Sequence, residues 1–466
     1  MLTYNLEEKN KPLYEQLYSC IKEDIINGIL ESNEQLPSKR SFARHLGVST
    51  ITVENAYDQL ISEGYMYAIE KKGYYVADIS LIHKIKKTKI KRDDIILPSA
   101  FLNYRYDLSG NQVNTNTFPF SIWAKLMRET ISDESDKLMK KSFCSGVESL
   151  REAIALHLAS FRGMSVDPNQ IIIGAGTEYL YSMLLLILGK DKRYCVENPG
   201  YKKILDIYKM NGADCSYVDM DEDGIIVKGL IDNNADVAHI SPTHHFPTGI
   251  TMPVSRRYEL LAWANAVSGR YIIEDDYDSE FRLNGKPIPT LYSIDACGKV
   301  IYVNTFSKSL APTIRVSYMV LPVELANLYY ERFSFYSCTV SNFEQYTLAK
   351  FIKLGYFEKH INRMRLYYIR QRAKVMEALK KSSLNNSCKV IENNSGLHFV
   401  LEFDTQLEDE VLKASLIEND IYISAISEYL HDGKKKTGES HRFIINYSNL
   451  DTDKLIEVFN LIDSLL

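Results

Sequence analysis

Lys308 lies in the run Asn304-Thr305-Phe306-Ser307-Lys308-Ser309-Leu310-Ala311-Pro312, thirty-three residues after Asp275 in the acidic knot Glu274-Asp275-Asp276-Tyr277-Asp278. A lysine amine at the end of an apolar strand can condense with an aldehyde. A carboxylate fixed upstream can keep a pyridine nitrogen protonated, so that the ring draws electrons. Together they meet the first requirements of a pyridoxal 5'-phosphate Schiff base. Asp275 and Asp276 would point to opposite faces of a strand, so only one of them can serve the ring.

Such a site needs further parts, and the chain offers a candidate for each. Gly174-Ala175-Gly176-Thr177 falls between an apolar run and a helical stretch beginning at Glu178. Backbone N–H groups there would cradle a phosphate, although turns of this kind are also common as plain structure. Tyr201, in Glu197-Asn198-Pro199-Gly200-Tyr201, could stack on the ring or simply pack its turn. Tyr277 could hydrogen-bond the phenolic oxygen of the cofactor. Arg315, seven residues after Lys308, could clamp the phosphate together with Thr305. The 7 cysteines are an odd number without Cys-x-x-Cys spacing, which argues against a disulfide framework or a zinc site, and no metal is expected.

The elements that must position these residues show as short apolar runs at 170–173, 193–196, 237–241, 271–275 and 300–304, separated by helical segments. That alternation predicts an α/β domain with a mostly parallel sheet. From about residue 355, long helical stretches and a final strand pair (398–403 and 443–447) predict a smaller α+β lobe. Before the sheet lies a linker at 79–105 containing the basic stretch from His83 to Arg92. The predicted domains are therefore 8–78, the linker, and 106–466. No run approaches 18 apolar residues, and MLTYNLEEKN lacks the profile of a signal peptide, so a cytoplasmic protein without membrane contact is expected.

Residues 1–92 carry a net charge of +2 within an overall −5, a mild asymmetry that fits a nucleic-acid-facing end. Tyr14, Leu17, Tyr18, Ile21 and Ile25 form a helical stripe ending at Gly28. Ser38 is placed to cap a short helix with Phe42, Ala43 and Leu46 on its apolar face. Gly47 turns the chain, Ser49 caps again, and Val53, Ala56, Tyr57, Leu60 and Ile61 make the next stripe. Two β-like runs then flank Glu70-Lys71-Lys72. Helix, turn, helix and hairpin in this order predict a winged helix-turn-helix. Ser49, Thr50 and Thr52 would face base edges or phosphates, as would Ser38 and Arg40, and Lys71 and Lys72 would reach the backbone or minor groove.

Pro12-Leu13-Tyr14-Glu15-Gln16-Leu17, Leu36-Pro37-Ser38-Lys39-Arg40, Leu46-Gly47-Val48-Ser49, Thr52-Val53, Ala56-Tyr57 and Glu63-Gly64 closely resemble the GntR-type winged helix. Thr50 stands where that family usually has an arginine, while Arg40 matches its DNA-contacting arginine. Beyond residue 105 the chain resembles fold-type I aminotransferases, and more closely the aminotransferase-like domain of MocR/GabR and PdxR-like regulators. The resemblance rests on Gly146, Leu150-Arg151, Gly176-Thr177, Glu197-Asn198-Pro199-Gly200-Tyr201, Pro242-x-His244, Pro247-Thr248-Gly249, Glu274-Asp275-Asp276-Tyr277-Asp278, Thr305-Phe306-Ser307-Lys308 and Arg315.

The resemblance implies that Lys308 forms the internal aldimine, Asp275 partners the ring nitrogen and Tyr201 stacks on the ring. It also implies that Thr305, Arg315 and the turn of Ala175, Gly176 and Thr177 hold the phosphate. A homodimer follows too, with a domain-swapped exchange of winged helices as one arrangement. Two positions depart from the aminotransferase pattern. Phe246 stands where an asparagine normally bonds the phenolic oxygen. Ile444 stands where the arginine for a substrate carboxylate is expected, with Arg442 two residues away on the same strand face. The leading expectation is a transcriptional regulator that binds promoter DNA and senses an amino-acid-type ligand, or the vitamin B6 cofactor itself, at Lys308. The rival is a working aminotransferase with an accessory DNA-binding domain, and a third reading is a dimerisation domain that has lost its cofactor.

Overall fold

The computed structural model describes residues 2–6, 11–79, 104–110, 117–282, 288–391, 396–431 and 441–466. Nearly all of the predicted linker, including its basic stretch, lies outside the described residues. The chain divides into two compact units, Met1–Phe101 and Leu102–Leu466.

In the first unit, helix α1 spans Leu13–Ile26, α2 Lys39–Leu46 and α3 Thr50–Ser62. The predicted caps form: Ser38 Oγ accepts from the Ser41 N–H at 3.3 Å, and Ser49 Oγ accepts from the Thr52 N–H at 3.1 Å. Each satisfies a donor that the first turn leaves without an intrahelical partner, and a cap of this kind contributes about 1 kcal/mol. Gly47 sits at φ 69°, the left-handed conformation that closes α2 and that other residues adopt at a cost. Leu17, Ile21 and Ile25 of α1 pack with Phe42, Val53, Tyr57 and Leu60 in one buried cluster. Tyr14 and Tyr18, assigned to the same stripe, are only half-buried, and the Tyr18 hydroxyl reaches Glu63. Strand β1 (Gln35–Leu36) is not apparent from the sequence pattern. It pairs with β3 (Gly73–Val76), which also pairs antiparallel with β2 (Met66–Ile69).

In the second unit, β4 (Tyr106–Asp107) precedes an eight-stranded sheet. Its strands are β5 (Ile171–Gly174), β6 (Arg193–Asn198), β7 (Asp214–Asp221), β8 (Gly224–Ile225), β9 (Val237–Ile240), β10 (Tyr271–Asp275), β11 (Val300–Thr305) and β12 (Ser317–Val320). The order is β5-β12-β11-β10-β9-β6-β7-β8, and β7, β6, β9, β10 and β11 run parallel. β12 is antiparallel between β11 and β5, pairing Ser317 with both Thr305 and Gly174. The central strands β9, β10 and β11 are buried end to end, because helices cover both faces of such a sheet. The smaller lobe has β13 (Cys388–Ile391), β14 (His398–Phe403), β15 (Ile421–Tyr422), β16 (Ser424–Ala425) and β17 (Arg442–Asn446). There β13-β14-β17-β16 form an antiparallel sheet, and β15 pairs with β4. The predicted final pair exists, with His398 opposite Asn446 and Glu402 opposite Arg442.

Candidate functional site

Parallel strands deliver their carboxyl ends to one edge of a sheet, and ligands of open α/β folds bind outside that edge. Here β6, β9, β10 and β11 bring Tyr201, Ser241, Asp275, Tyr277, Thr305 and Lys308 to a cavity of about 510 Å³. Antiparallel β12 begins at the same edge, so Arg315, just before it, lines the cavity too. A volume of this size suits a cofactor-sized ligand.

The structure separates the two aspartates. Asp276 turns away from the cavity into a buried ion pair with Arg162 and accepts a hydrogen bond from the Tyr302 hydroxyl at 2.7 Å. Asp275 faces the cavity. Its Oδ2 accepts from the Tyr181 hydroxyl at 2.5 Å, and His239 Nε2 lies 3.6 Å away. Its Oδ1 is buried with no hydrogen-bond partner. An unmet carboxylate oxygen at such a site calls for a donor from a ligand. Tyr181 was not anticipated. The signal available was its place one helical turn after Thr177, which puts it on the same side of the helix Thr177–Leu188.

Lys308 sits at the first turn after β11, its amine pushed down to about 8 by burial, with the Asp278 carboxylate opposing that shift. Burial removes water from the ammonium form and so favours the neutral, nucleophilic amine. Thr305 Oγ1 accepts from the Ser307 N–H at 3.2 Å and from Ser317 Oγ at 2.8 Å. The helix Thr177–Leu188 starts at Gly176, φ 93°, with no side-chain cap on its N–H groups. A Cβ at Gly176 would come within 2.3 Å of Arg315 Nη2, so the position admits only glycine while the arginine stays there. Thr177 lines the cavity, whereas the Ala175 N–H is directed at Thr339 Oγ1, 3.0 Å away. Arg315 is joined to Glu178 at 2.5 Å. Burial would raise the Glu178 carboxyl, but Lys203 and Arg315 hold it down to about 2.

Tyr201 lines the cavity half-exposed, edge-to-face with Phe246 at 6.2 Å between centroids. Phe246 meets Tyr429 at 5.2 Å and packs with Ile444, Val400 and Ile426. The position expected to hold an arginine is thus part of an apolar cluster. Arg442 lies on β17 with its Nε donating to Glu402 at 2.7 Å, away from the residues that line the cavity. Glu197, also unanticipated, lines the cavity with its carboxyl raised to about 8 by burial, against a hydrogen bond from the Ser241 N–H.

In the first unit Ser38, Arg40, Ser49 and Thr50 are exposed and Thr52 is partly so. Ser49 and Thr52 hydroxyls lie 2.8 Å apart and belong to the cap as well as to the surface. The wing turns at Lys71, φ 62°, and both Lys71 and Lys72 are exposed.

The gntR family of bacterial regulatory proteins matches residues 13–76, and the aminotransferase class I and II family matches 106–461. The chain belongs to the GntR-type regulators of the MocR kind. It is 36% identical to the uncharacterized HTH-type transcriptional regulator YdeL of Bacillus subtilis, over 91% of this chain and 92% of that one. Identity is 31% to the HTH-type pyridoxine biosynthesis transcriptional regulator PdxR of Corynebacterium glutamicum, over 94% and 93%. The kynurenine aminotransferase of Pyrococcus horikoshii, solved with PMP, aligns with a TM-score of 0.68 at 25% identity, over 78% of this chain and 91% of that one. A DNA-binding winged helix and a fold-type I aminotransferase domain, the fold of pyridoxal-phosphate-dependent enzymes, therefore share one regulatory chain. No helix among the described residues is long and apolar enough to cross a membrane.

Proposed function

We propose that this regulator reads the supply of an amine ligand, or of pyridoxal phosphate itself, through Lys308, and converts that reading into altered promoter binding. The cavity's chemistry fits the cofactor: an unmet buried carboxylate oxygen at Asp275, an uncapped helix start at Gly176 and a buried amine at Lys308. Bound there, pyridoxal phosphate supplies an aldehyde carbon for amines and a ring that takes up electrons. Asp275 would accept the ring N–H on its Oδ1 while Tyr181 fixes the other oxygen. Tyr201 would cover one ring face. Thr177, Thr305 and Arg315 would hold the phosphate, with Arg315 exchanging its bond to Glu178 for one to the anion.

The observation that carries a sensing role over turnover is the apolar wall that Phe246 and Tyr429 give the cavity, with Ile444 in the buried cluster they pack against. An arginine there would grip a carboxylate in two parallel hydrogen bonds. An apolar cluster instead holds no α-carboxylate in register, and Arg442 is committed to Glu402. Retained Asp275, Tyr277 and Lys308 leave slow transamination as the second reading. The reading further takes the regulator to be a cytoplasmic homodimer, in which differential affinity of the ligand for two arrangements of the winged helices does the switching.

Purified protein loaded with pyridoxal phosphate should show a visible imine band that Lys308→Ala abolishes. Protection of the promoter beside its own gene should change on adding pyridoxal phosphate or an amine. A colourless protein that ignores added cofactor would overturn the proposal. Sustained turnover of an amino-acid and keto-acid pair with unchanged DNA protection would favour the enzyme.

A further inference from the structure

Behind Tyr277 lies a buried group that the preceding roles leave unused. His244 and Asp278 are only 3% and 4% exposed, and His244 Nδ1 lies 2.8 Å from Asp278 Oδ2. The same nitrogen is 3.3 Å from the Tyr277 hydroxyl. Tyr277 lines the cavity beside Lys308 and Asp275. The imidazole is confined on its other sides. Gly396 packs so tightly against it that a Cβ there would lie 1.8 Å from Cε1, and the His398 ring is centred 4.6 Å away, itself held at 3.1 Å to the Pro247 carbonyl oxygen.

A carboxylate only accepts hydrogen bonds, so the pairing with Asp278 places the imidazole proton on Nδ1. Nδ1 then has no lone pair for the Tyr277 proton. It offers its N–H to the tyrosine oxygen as a longer, secondary contact, and the tyrosine must direct its own O–H elsewhere. We infer that His244, clamped by Asp278, is a positioning residue that turns the Tyr277 proton into the cavity, toward the phenolic oxygen of the bound cofactor. This rests on the cofactor reading above. It also accounts for Phe246: with the tyrosine's donor direction set from behind, the phenolic oxygen keeps an oriented donor where the asparagine is missing. Tyr277 remains a phenol in these surroundings, since burial first, and then the carboxylates of Asp278 and Asp275, push its proton loss far above the ordinary range.

The test is the pH midpoint of the visible band of the full-length protein loaded with pyridoxal phosphate. A donor on the phenolic oxygen draws charge off it and loosens the proton it shares with the imine nitrogen. Losing that donor in Tyr277→Phe should raise the midpoint by about one pH unit. His244→Phe should raise it in the same direction by at least half as much. His244→Asn, whose amide N–H can stand near Nδ1, should stay close to wild type. Combining His244→Phe with Tyr277→Phe should add nothing to Tyr277→Phe alone, because both act through one hydroxyl. His244→Leu, which also removes the Nδ1 donor and leaves the Asp278 charge in place, serves should the phenylalanine variant not fold, and should raise the midpoint likewise. Wild-type midpoints in His244→Phe and His244→Leu beside a shifted Tyr277→Phe would overturn the inference, as would additive shifts in the double variant. A wild-type protein that develops no band would instead overturn the cofactor reading itself.

Discussion

The most quantitative expectation concerns the Lys308 amine. An ordinary lysine loses its proton near 10.5, and burial brings Lys308 to about 8. At pH 7 the neutral fraction is therefore roughly one part in ten, against about one in 3,000 for an exposed lysine, a gain of about 300-fold in nucleophile. Because the folded value is depressed, the neutral form dominates above about 8 and is lost tenfold per unit below it. Protein stripped of cofactor should capture pyridoxal phosphate at a rate that climbs tenfold per pH unit below 8 and then levels off. Stopped-flow growth of the visible band between pH 6 and 9.5, extrapolated to a common cofactor concentration, measures this. Asp278 opposes the shift, so Asp278→Asn should move the break to lower pH. A capture rate still rising tenfold per unit beyond pH 9, as for an exposed lysine, would refute the argument from burial.

Other substitutions probe separate parts of the chain. Arg162→Leu strands the Asp276 carboxylate in the core and should cost about 3–5 kcal/mol in chemical denaturation, and an unchanged midpoint would show that the pair is not the anchor of that region. Arg40→Ala should weaken binding to all DNA sequences alike and reduce the log–log salt slope by about one, as read by fluorescence anisotropy at several salt concentrations. Loss of discrimination without a change in slope would mean Arg40 reads a base instead. Arg442→Ala removes a half-exposed pair with Glu402 and should cost less than about 1 kcal/mol. Its effector response in promoter protection should change less than twofold, and a tenfold loss would place Arg442 at the ligand after all.

What the residues revealed on their own was whatever depends on near neighbours in the chain. Ser38 and Ser49 cap helices because the donors they satisfy lie three residues on. The strands ending at Asp275 and before Lys308 were legible because parallel strands buried on both faces need unbroken apolar runs. The winged-helix order, the Gly174–Thr177 turn and the Lys308 neighbourhood followed from the same local logic. Tertiary structure decided the rest, because partner choice across a fold leaves no periodic trace. Alternation says that Asp275 and Asp276 face opposite ways, but only Arg162, 114 residues upstream of Asp276, determines which one is left for a ligand. The strand at 317–320 is not among the runs read from the sequence, and only its pairing with β5 and β11 makes it antiparallel and brings Arg315 to the cavity. Arg442 was correctly placed on a strand, yet its cross-strand neighbour Glu402 could not be inferred from spacing. The lysine and the acid could be named from sequence, while their protonation and orientation are properties of the packed interior.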